Sequence, residues 1–258
     1  MLKFRNVNIA SLILIVVFVL LKTAFNISYI FLIALLIFWI FITIFGSFHI
    51  RLNYFLNSKH SNKNIKSFKI ALTFDDGPNK EFTPKVLDLL LKYNAKATFF
   101  CIGKNLESNI TIAKKIIENG NEIGNHSYIH ANNYGFLSSK ELVKDITKTQ
   151  NLLFKVTNKK NKIFRPPFGV TNPNITKAVK QLNLISIGWS IRSYDTIAKK
   201  PEKVFLKIQS KIKKGAILLM HDTNNLSIAV LEQLLQFLEK NKIETITVSQ
   251  LLNLDANA

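Results

Sequence analysis

Ile70-Ala71-Leu72-Thr73-Phe74-Asp75-Asp76-Gly77-Pro78 reads as a short buried strand that ends on two adjacent carboxylates and a turn forced by Gly-Pro. Neighbouring side chains on a strand point to opposite faces, but at a strand end the chain can twist so that both carboxylates reach one pocket. Two carboxylates that close repel, so both stay ionised only where a cation or an arginine takes up the charge. Alone, the stretch is equally well an ordinary strand-end turn. The cation and the arginine have to come from elsewhere in the chain.

From about Lys66 onward, strand and helix patterns alternate. Strands are expected at 69–74, 97–102, 122–124, 162–165, 184–189, 216–220 and 244–248. Between them lie helical patterns, among them one capped by Ser138 and Glu141 and one opened by Pro201. Seven short strands alternating with helices predict an α/β fold with a parallel sheet, either a barrel or an open sheet. In both architectures, catalytic groups belong at the C-terminal ends of the strands.

The candidate residues fall there. Asp75 and Asp76 end the first strand. His126 and His130 follow the third, Arg165 ends the fourth before Pro166-Pro167-Phe168-Gly169, and Asp195 follows the fifth. His221-Asp222 ends the sixth. Three of the five histidines are in this set; His49 and His60 lie in the N-terminal part. His126 and His130 are four apart, a spacing that on a helical turn puts both imidazoles within reach of one metal ion. With a carboxylate added, two histidines and an acid leave positions open for water and substrate, which suits zinc or another first-row divalent ion. A pair of histidines on a surface turn is the plainer reading of the spacing alone. The guanidinium of Arg165 can hold a carboxylate in a forked hydrogen bond, with Asp75 as its natural partner. Asp195 either caps a turn or orients His221. Spacing alone leaves open which of Asp75 and Asp76 faces a metal.

Residues 1–50 read as membrane material. Val7 to Leu21 is apolar apart from Asn8 and Ser11, and after Lys22 and Thr23 a second run extends from about Ile27 to Phe48. A bilayer core needs roughly 20 apolar residues in a helix. The expectation is a transmembrane helical hairpin, with a single span as the alternative; a signal peptide fits the first run less well, because no small-x-small cleavage site follows it. Under the positive-inside rule, two spans place the following domain in the cytoplasm, whereas one span with the N-terminus inside places it outside. Residues 51–66, rich in Asn, Ser and Lys, are expected to form an exposed polar linker. Residues 67–252 form the expected catalytic domain, and 253–258 a polar tail.

The 258 residues carry a formal net charge of +19. The lysines are scattered, without dense blocks or interleaved aromatics, which favours a generally basic surface over a nucleic-acid groove. Such a surface attracts anionic lipid head groups or acidic glycans. Cys101 is the only cysteine, which excludes an intrachain disulfide and a cysteine-based zinc site.

Together these residues resemble the polysaccharide deacetylase family, also called the NodB-homology family or carbohydrate esterase family 4. The family's motifs occur in order: Thr-Phe-Asp-Asp-Gly at 73–77, His-Ser-x-x-His at 126–130, Arg-Pro-Pro-Phe-Gly at 165–169, the Asp195 region, and Leu-Met-His at 219–221. The resemblance implies a distorted (β/α)7 barrel and a divalent metal, zinc first, with cobalt, nickel or manganese as substitutes. Asp76, His126 and His130 would bind it. Asp75 would be the general base, held by Arg165, and His221 the general acid, tuned by Asp195. Leu219 and Phe168 would line the pocket for the acetyl methyl, and the Phe168 N–H would help bind the oxyanion.

The fourth motif departs from the family's Asp-x-x-Asp-Trp: Arg192 stands at the first Asp and Thr196 at the Trp. The implied activity is removal of N-acetyl groups from N-acetylhexosamine residues of a glycan, with the glycan and the lipid bilayer as partners. The alternatives are deacylation or deformylation of a lipid-linked sugar and an inactive glycan-binding protein. The last would be expected to lack a ligand or Asp75, and none is missing.

Overall fold

The computed structural model describes residues 2–254, so only part of the expected 253–258 tail falls within it. The chain opens with two antiparallel helices, α1 (Phe4–Phe25) and α2 (Ile30–Phe48). At 1.5 Å per residue they are about 33 and 29 Å long, and both are long and apolar enough to cross a membrane. Their side chains are mostly uncovered: Leu12 and Phe41 are each 63% exposed. Inside the hairpin, Trp39 Nε1 of α2 donates to Asn8 Oδ1 of α1 at 2.9 Å.

Residues 51–66 are not the exposed linker the composition suggests. Tyr54, Leu56 and Ser58 are buried, and β1 (Ser58–Lys59) joins the sheet. Tyr54 accounts for the difference. Its ring fills the space where a side chain at Gly46 would lie, its hydroxyl meets Thr43 Oγ1 at 3.2 Å, and its carbonyl accepts from Phe4 N at 3.0 Å. Three aromatics among polar residues (Tyr54, Phe55 and, beyond the segment, Phe68) carry no period, so the burial of one of them is invisible to pattern reading.

The sheet contains β2 (Lys69–Asp75), β3 (Ala97–Cys101), β4 (Glu122–Asn125), β5 (Ile163–Phe164), β6 (Ile185–Ile187), β7 (Ile191–Arg192), β8 (Ile217–His221) and β9 (Glu244–Thr245). Helices α3 (Phe82–Lys92), α4 (Gly103–Ser108), α5 (Ile110–Glu118), α6 (Ser139–Thr157), α7 (Pro173–Gln181), α8 (Pro201–Gln209), α9 (Asn225–Lys240) and α10 (Val248–Leu252) connect or follow the strands. Every strand ladder is parallel, in the order β1-β6-β5-β4-β3-β2-β8-β7, with β9 on the start of β2.

Strands β6 and β7 are three residues apart in sequence, yet β6 pairs with β5 and β7 with β8. One bent stretch of chain therefore touches both ends of the row, and the sheet curls into the distorted barrel. The seven expected strands are β2 to β6, β8 and β9; β1 and β7 are additions.

Alternation along β2 sorts the core from the chemistry. Ile70, Leu72 and Phe74 pack outward under the helices with Phe99, Leu231 and Leu234. Ala71 faces inward with Phe100, Ile187 and Ile217, and by the period of two so do Thr73 and Asp75. Both faces are buried, which is why the strand reads as a continuous apolar run. Cys101 is buried in the outer core, where desolvation pushes its thiol well above its usual value, so it is an inert packing group.

Candidate active site

The ladder register aligns the chemistry. Asp75 lies opposite His221 on one side and Phe100 on the other, and Asn125 lies opposite Phe164, one residue before Arg165. By alternation Asp76 should point away from Asp75. Instead its φ is +77°, a left-handed turn that non-glycine residues seldom adopt. This is the strand-end twist that lets both carboxylates reach one pocket. Asn105 Nδ2 donates to the Asp76 carbonyl at 2.7 Å, which helps hold the turn.

His126 is buried, and its Nδ1 lies 2.8 Å from the Arg165 carbonyl. A carbonyl only accepts, so Nδ1 carries the proton and Nε2 presents a lone pair. That Nε2 is 3.5 Å from Asp76 Oδ1, and so is His130 Nε2. Burial first, and then the neighbouring His126, push the His130 imidazole down to about 4 against the pull of Asp76; it is neutral and free to ligate at neutral pH.

The two histidines do not share a helical turn. They sit on a loop in which Ser127 and His130 both have positive φ. Asn125 Oδ1 accepts from Ser127 N, and Asp145 on α6 accepts from Tyr128 N and Ile129 N at 2.8 and 3.2 Å. The ligand atoms of Asp76, His126 and His130 all lie within 4.8 Å of one another. Ligands about 2.0–2.1 Å from a tetrahedral ion stand about 3.3 Å apart; the two separations from Asp76 Oδ1, 3.5 Å each, are close to that, so this donor set can hold a divalent metal.

Arg165 is fully buried. Its Nη1 donates to Asp75 Oδ1 at 2.6 Å and to Thr73 Oγ1 at 2.8 Å, while Nε and Nη2 donate to the carbonyls of Ile187 and Gly188. The expected fork onto Asp75 is therefore a single charge-assisted bond; the other donors hold the bend between β6 and β7. Phe100 lies under the guanidinium at 4.1 Å. Burial pulls the Arg165 pKa below its usual value, and Asp75 opposes that. Asp75 Oδ2 faces His126 Nε2 at 3.7 Å.

At the end of β8, His221 Nδ1 is 2.9 Å from Asp195 Oδ1. Asp195 is fixed in turn by Ser193 Oγ at 2.6 Å, Ser227 Oγ at 2.8 Å and the His221 N–H at 2.9 Å. Burial disfavours the His221 imidazolium, but the bond and charge of Asp195, with Asp75 and Asp76 behind, outweigh it and raise the pKa above 6.5. Burial likewise works against the Asp195 carboxylate, but its hydrogen bonds hold it below its usual value.

Leu219, two residues before His221 in β8, is buried and by alternation shares the inward face with it. Phe168 is 47% exposed, at φ +59°, with its ring 4.5 Å from that of His130. The structure thus brings all nine candidate residues to one end of the strands. A cleft of about 1060 Å³ opens at the other end, around Glu122 and Lys162, and holds none of them.

The sequence pattern assigns no role to Asp222, Thr73, Asp145, Ser193 or Ser227. Asp222 is fully buried, accepts a hydrogen bond from Thr83 and packs against Gly77, where a side chain would collide with it. Burial pushes its carboxyl up to about 7. It backs the turn that aims Asp76, and the signal available was an acid directly after a strand-end histidine.

The sequence profile of the polysaccharide deacetylase family matches residues 62–186. A peptidoglycan-N-acetylglucosamine deacetylase of Bacillus cereus is 36% identical over 188 residues, 71% of this chain and 87% of that protein. The chain belongs to the polysaccharide deacetylase family. Another member, the peptidoglycan-N-acetylglucosamine deacetylase PgdA of Listeria monocytogenes, is 35% identical over 183 residues, 71% of this chain. The chain spans 38% of that protein's length, and 56% of a further Bacillus cereus protein named as a peptidoglycan-N-acetylglucosamine deacetylase. Among solved structures of the family, the Bc1960 peptidoglycan N-acetylglucosamine deacetylase superposes with a TM-score of 0.73 at 29% identity, covering 78% of this chain and 94% of that one.

Proposed function

We propose that this chain is a membrane-anchored, metal-dependent hydrolase that removes N-acetyl groups from N-acetylhexosamine residues of a glycan. One observation carries the reading: a two-histidine, one-carboxylate donor set lies beside an arginine-held carboxylate and a carboxylate-held histidine on a single strand-end face. The relatives named as peptidoglycan deacetylases support the substrate class.

Asp76, His126 and His130 would hold the metal. When bound, a divalent ion lowers the pKa of water and polarises an amide carbonyl. Asp75 takes the water's proton during attack, and Arg165 Nη1, donating to its Oδ1 at 2.6 Å, holds the carboxylate in place for that task. The Phe168 N–H donates to the developing oxyanion. Leu219, on the same face as His221, lines the acetyl methyl pocket. His221, whose pKa Asp195 raises, delivers its proton to the leaving amine. The products are acetate and a free amino sugar.

Acetate released from an N-acetylated chitooligosaccharide or peptidoglycan fragment is the direct test. It should stop on chelation and return with added divalent ion; no release from any acetylated glycan with metal supplied would sink the proposal.

Asp195→Asn should move the alkaline limb of the kcat/KM profile to lower pH. The sign follows from His221: its raised pKa keeps the proton-donating form present to higher pH, and the variant removes the charge that raises it. An alkaline limb that stays in place would mean that another group titrates there.

The hairpin of α1 and α2 would anchor the domain in the bilayer. Ser47, near the end of α2, donates to the Thr171 carbonyl at 2.7 Å and accepts from Thr171 N at 3.0 Å. Thr171 is two residues past the Phe168–Gly169 rim, so the anchor and the site are fixed to each other. This contact favours a second reading, a lipid-linked sugar as substrate, which a faster rate on a lipid-linked than on a soluble acetylated sugar would support.

A further inference from the structure

Where α2 ends, a cleft of about 570 Å³ separates the hairpin from the barrel. Arg51 lines it from the hairpin side, Trp189, Arg192 and Tyr194 from the bent β6–β7 stretch, and Lys211 and Lys213 from the loop before β8. No acidic side chain lines it. None of the four cations is in an ion pair among the described residues, so their mutual repulsion is left to solvent or to a ligand.

Two further observations describe the same field. Arg192 stands where the family motif places an acid, and its guanidinium lies 5.0 Å from the Tyr194 ring and 5.7 Å from the Trp189 ring. Burial and then the charges of Arg51, Lys63 and Lys213 hold the His60 imidazole below its usual value. Trp189 also separates the cleft from the active site: Arg165 lies 5.7 Å from its ring, and its edge packs against Gly169.

We infer that this cleft binds the phosphate of an anionic membrane lipid, seated at the bilayer surface where α2 emerges. The inference rests on the hairpin being a membrane anchor. The geometry suits it. Phe48, the last residue of α2, also lines the cleft, so a head group at the end of the hairpin meets Arg51 first. Guanidinium groups bind phosphate oxygens through paired, charge-assisted bonds, and Trp and Tyr are the residues suited to the level of the head groups. A lipid held there would press the hairpin and the Trp189 wall of the active site together.

The full chain in detergent, carrying Trp39→Phe so that Trp189 alone fluoresces, is titrated with dioctanoyl phosphatidylglycerol. The expected result is a saturable Trp189 response that weakens about tenfold or more in Arg51→Gln/Arg192→Gln. The exposed pair Lys211→Gln/Lys213→Gln, which alters no buried group, should weaken it in the same direction. Undiminished binding in both variants, or an equal response to uncharged dioctanoylglycerol, overturns the inference. Inorganic phosphate binding as tightly as the lipid would make this a free-anion site and overturn the lipid assignment. Alkaline carbonate extraction of membranes separates the two readings. A chain that washes off sinks the anchor and the lipid site together; a chain that stays but gives no lipid response loses only the cleft.

Discussion

Asp75→Asn should abolish deacetylation, by roughly a thousandfold or more, while the chain keeps its full complement of metal. The two carboxylates differ in what they face. Asp76 Oδ1 is 3.5 Å from both histidine Nε2 atoms, whereas Asp75 gives one oxygen to Arg165 at 2.6 Å and keeps the other 3.7 Å from His126. An asparagine amide cannot take a proton from water at neutral pH, but its oxygen can still accept from Arg165 Nη1.

Folding therefore survives the change at a cost. Removing the counter-charge of a buried ion pair typically costs about 3–5 kcal/mol. Here the loss should be smaller, because Thr73, Ile187 and Gly188 still accept from the guanidinium. Acetate release, metal per chain and the melting temperature, measured on one preparation, separate the outcomes. Loss of metal along with activity would make Asp75 a ligand and return the division of labour between the two acids to an open question.

Much of this site is legible in the sequence. Short parallel strands separated by helices put catalytic groups at strand ends, and the acids, histidines and arginine fell at those ends. Strand alternation could not say how Asp76 joins Asp75, since the answer is a φ of +77° backed by Asn105 and by Asp222 on Gly77. The spacing of His126 and His130 suggested the right partnership through the wrong geometry. What brings the rings together is a loop with two left-handed residues, tied to Asp145 in the following helix. The burial of Tyr54 against Gly46 was equally out of reach, because one aromatic in a polar stretch carries no period. In each case the missing information is tertiary: a backbone turn or a pocket whose walls no local period describes.

His130→Ala and His126→Ala should both lower metal affinity by more than about a hundredfold, because losing even an outer-shell partner costs about 10–100-fold. The two variants should differ in stability. His126 is buried and its Nδ1–H satisfies the Arg165 carbonyl, so alanine leaves a cavity and a buried acceptor without a donor, at about 1–3 kcal/mol for the acceptor alone. His130 is half-buried, and the hydrogen bond that fixes its position is made by its backbone N–H to Ser127 Oγ, which alanine keeps. His130→Ala should therefore melt close to the parent chain stripped of metal, and His126→Ala well below it. Metal titration by calorimetry and melting of the apo forms check both statements. Unchanged affinity in either variant would refute that histidine as a ligand, and equal melting losses would mean that the His126–Arg165 bond contributes little to holding the strand ends together.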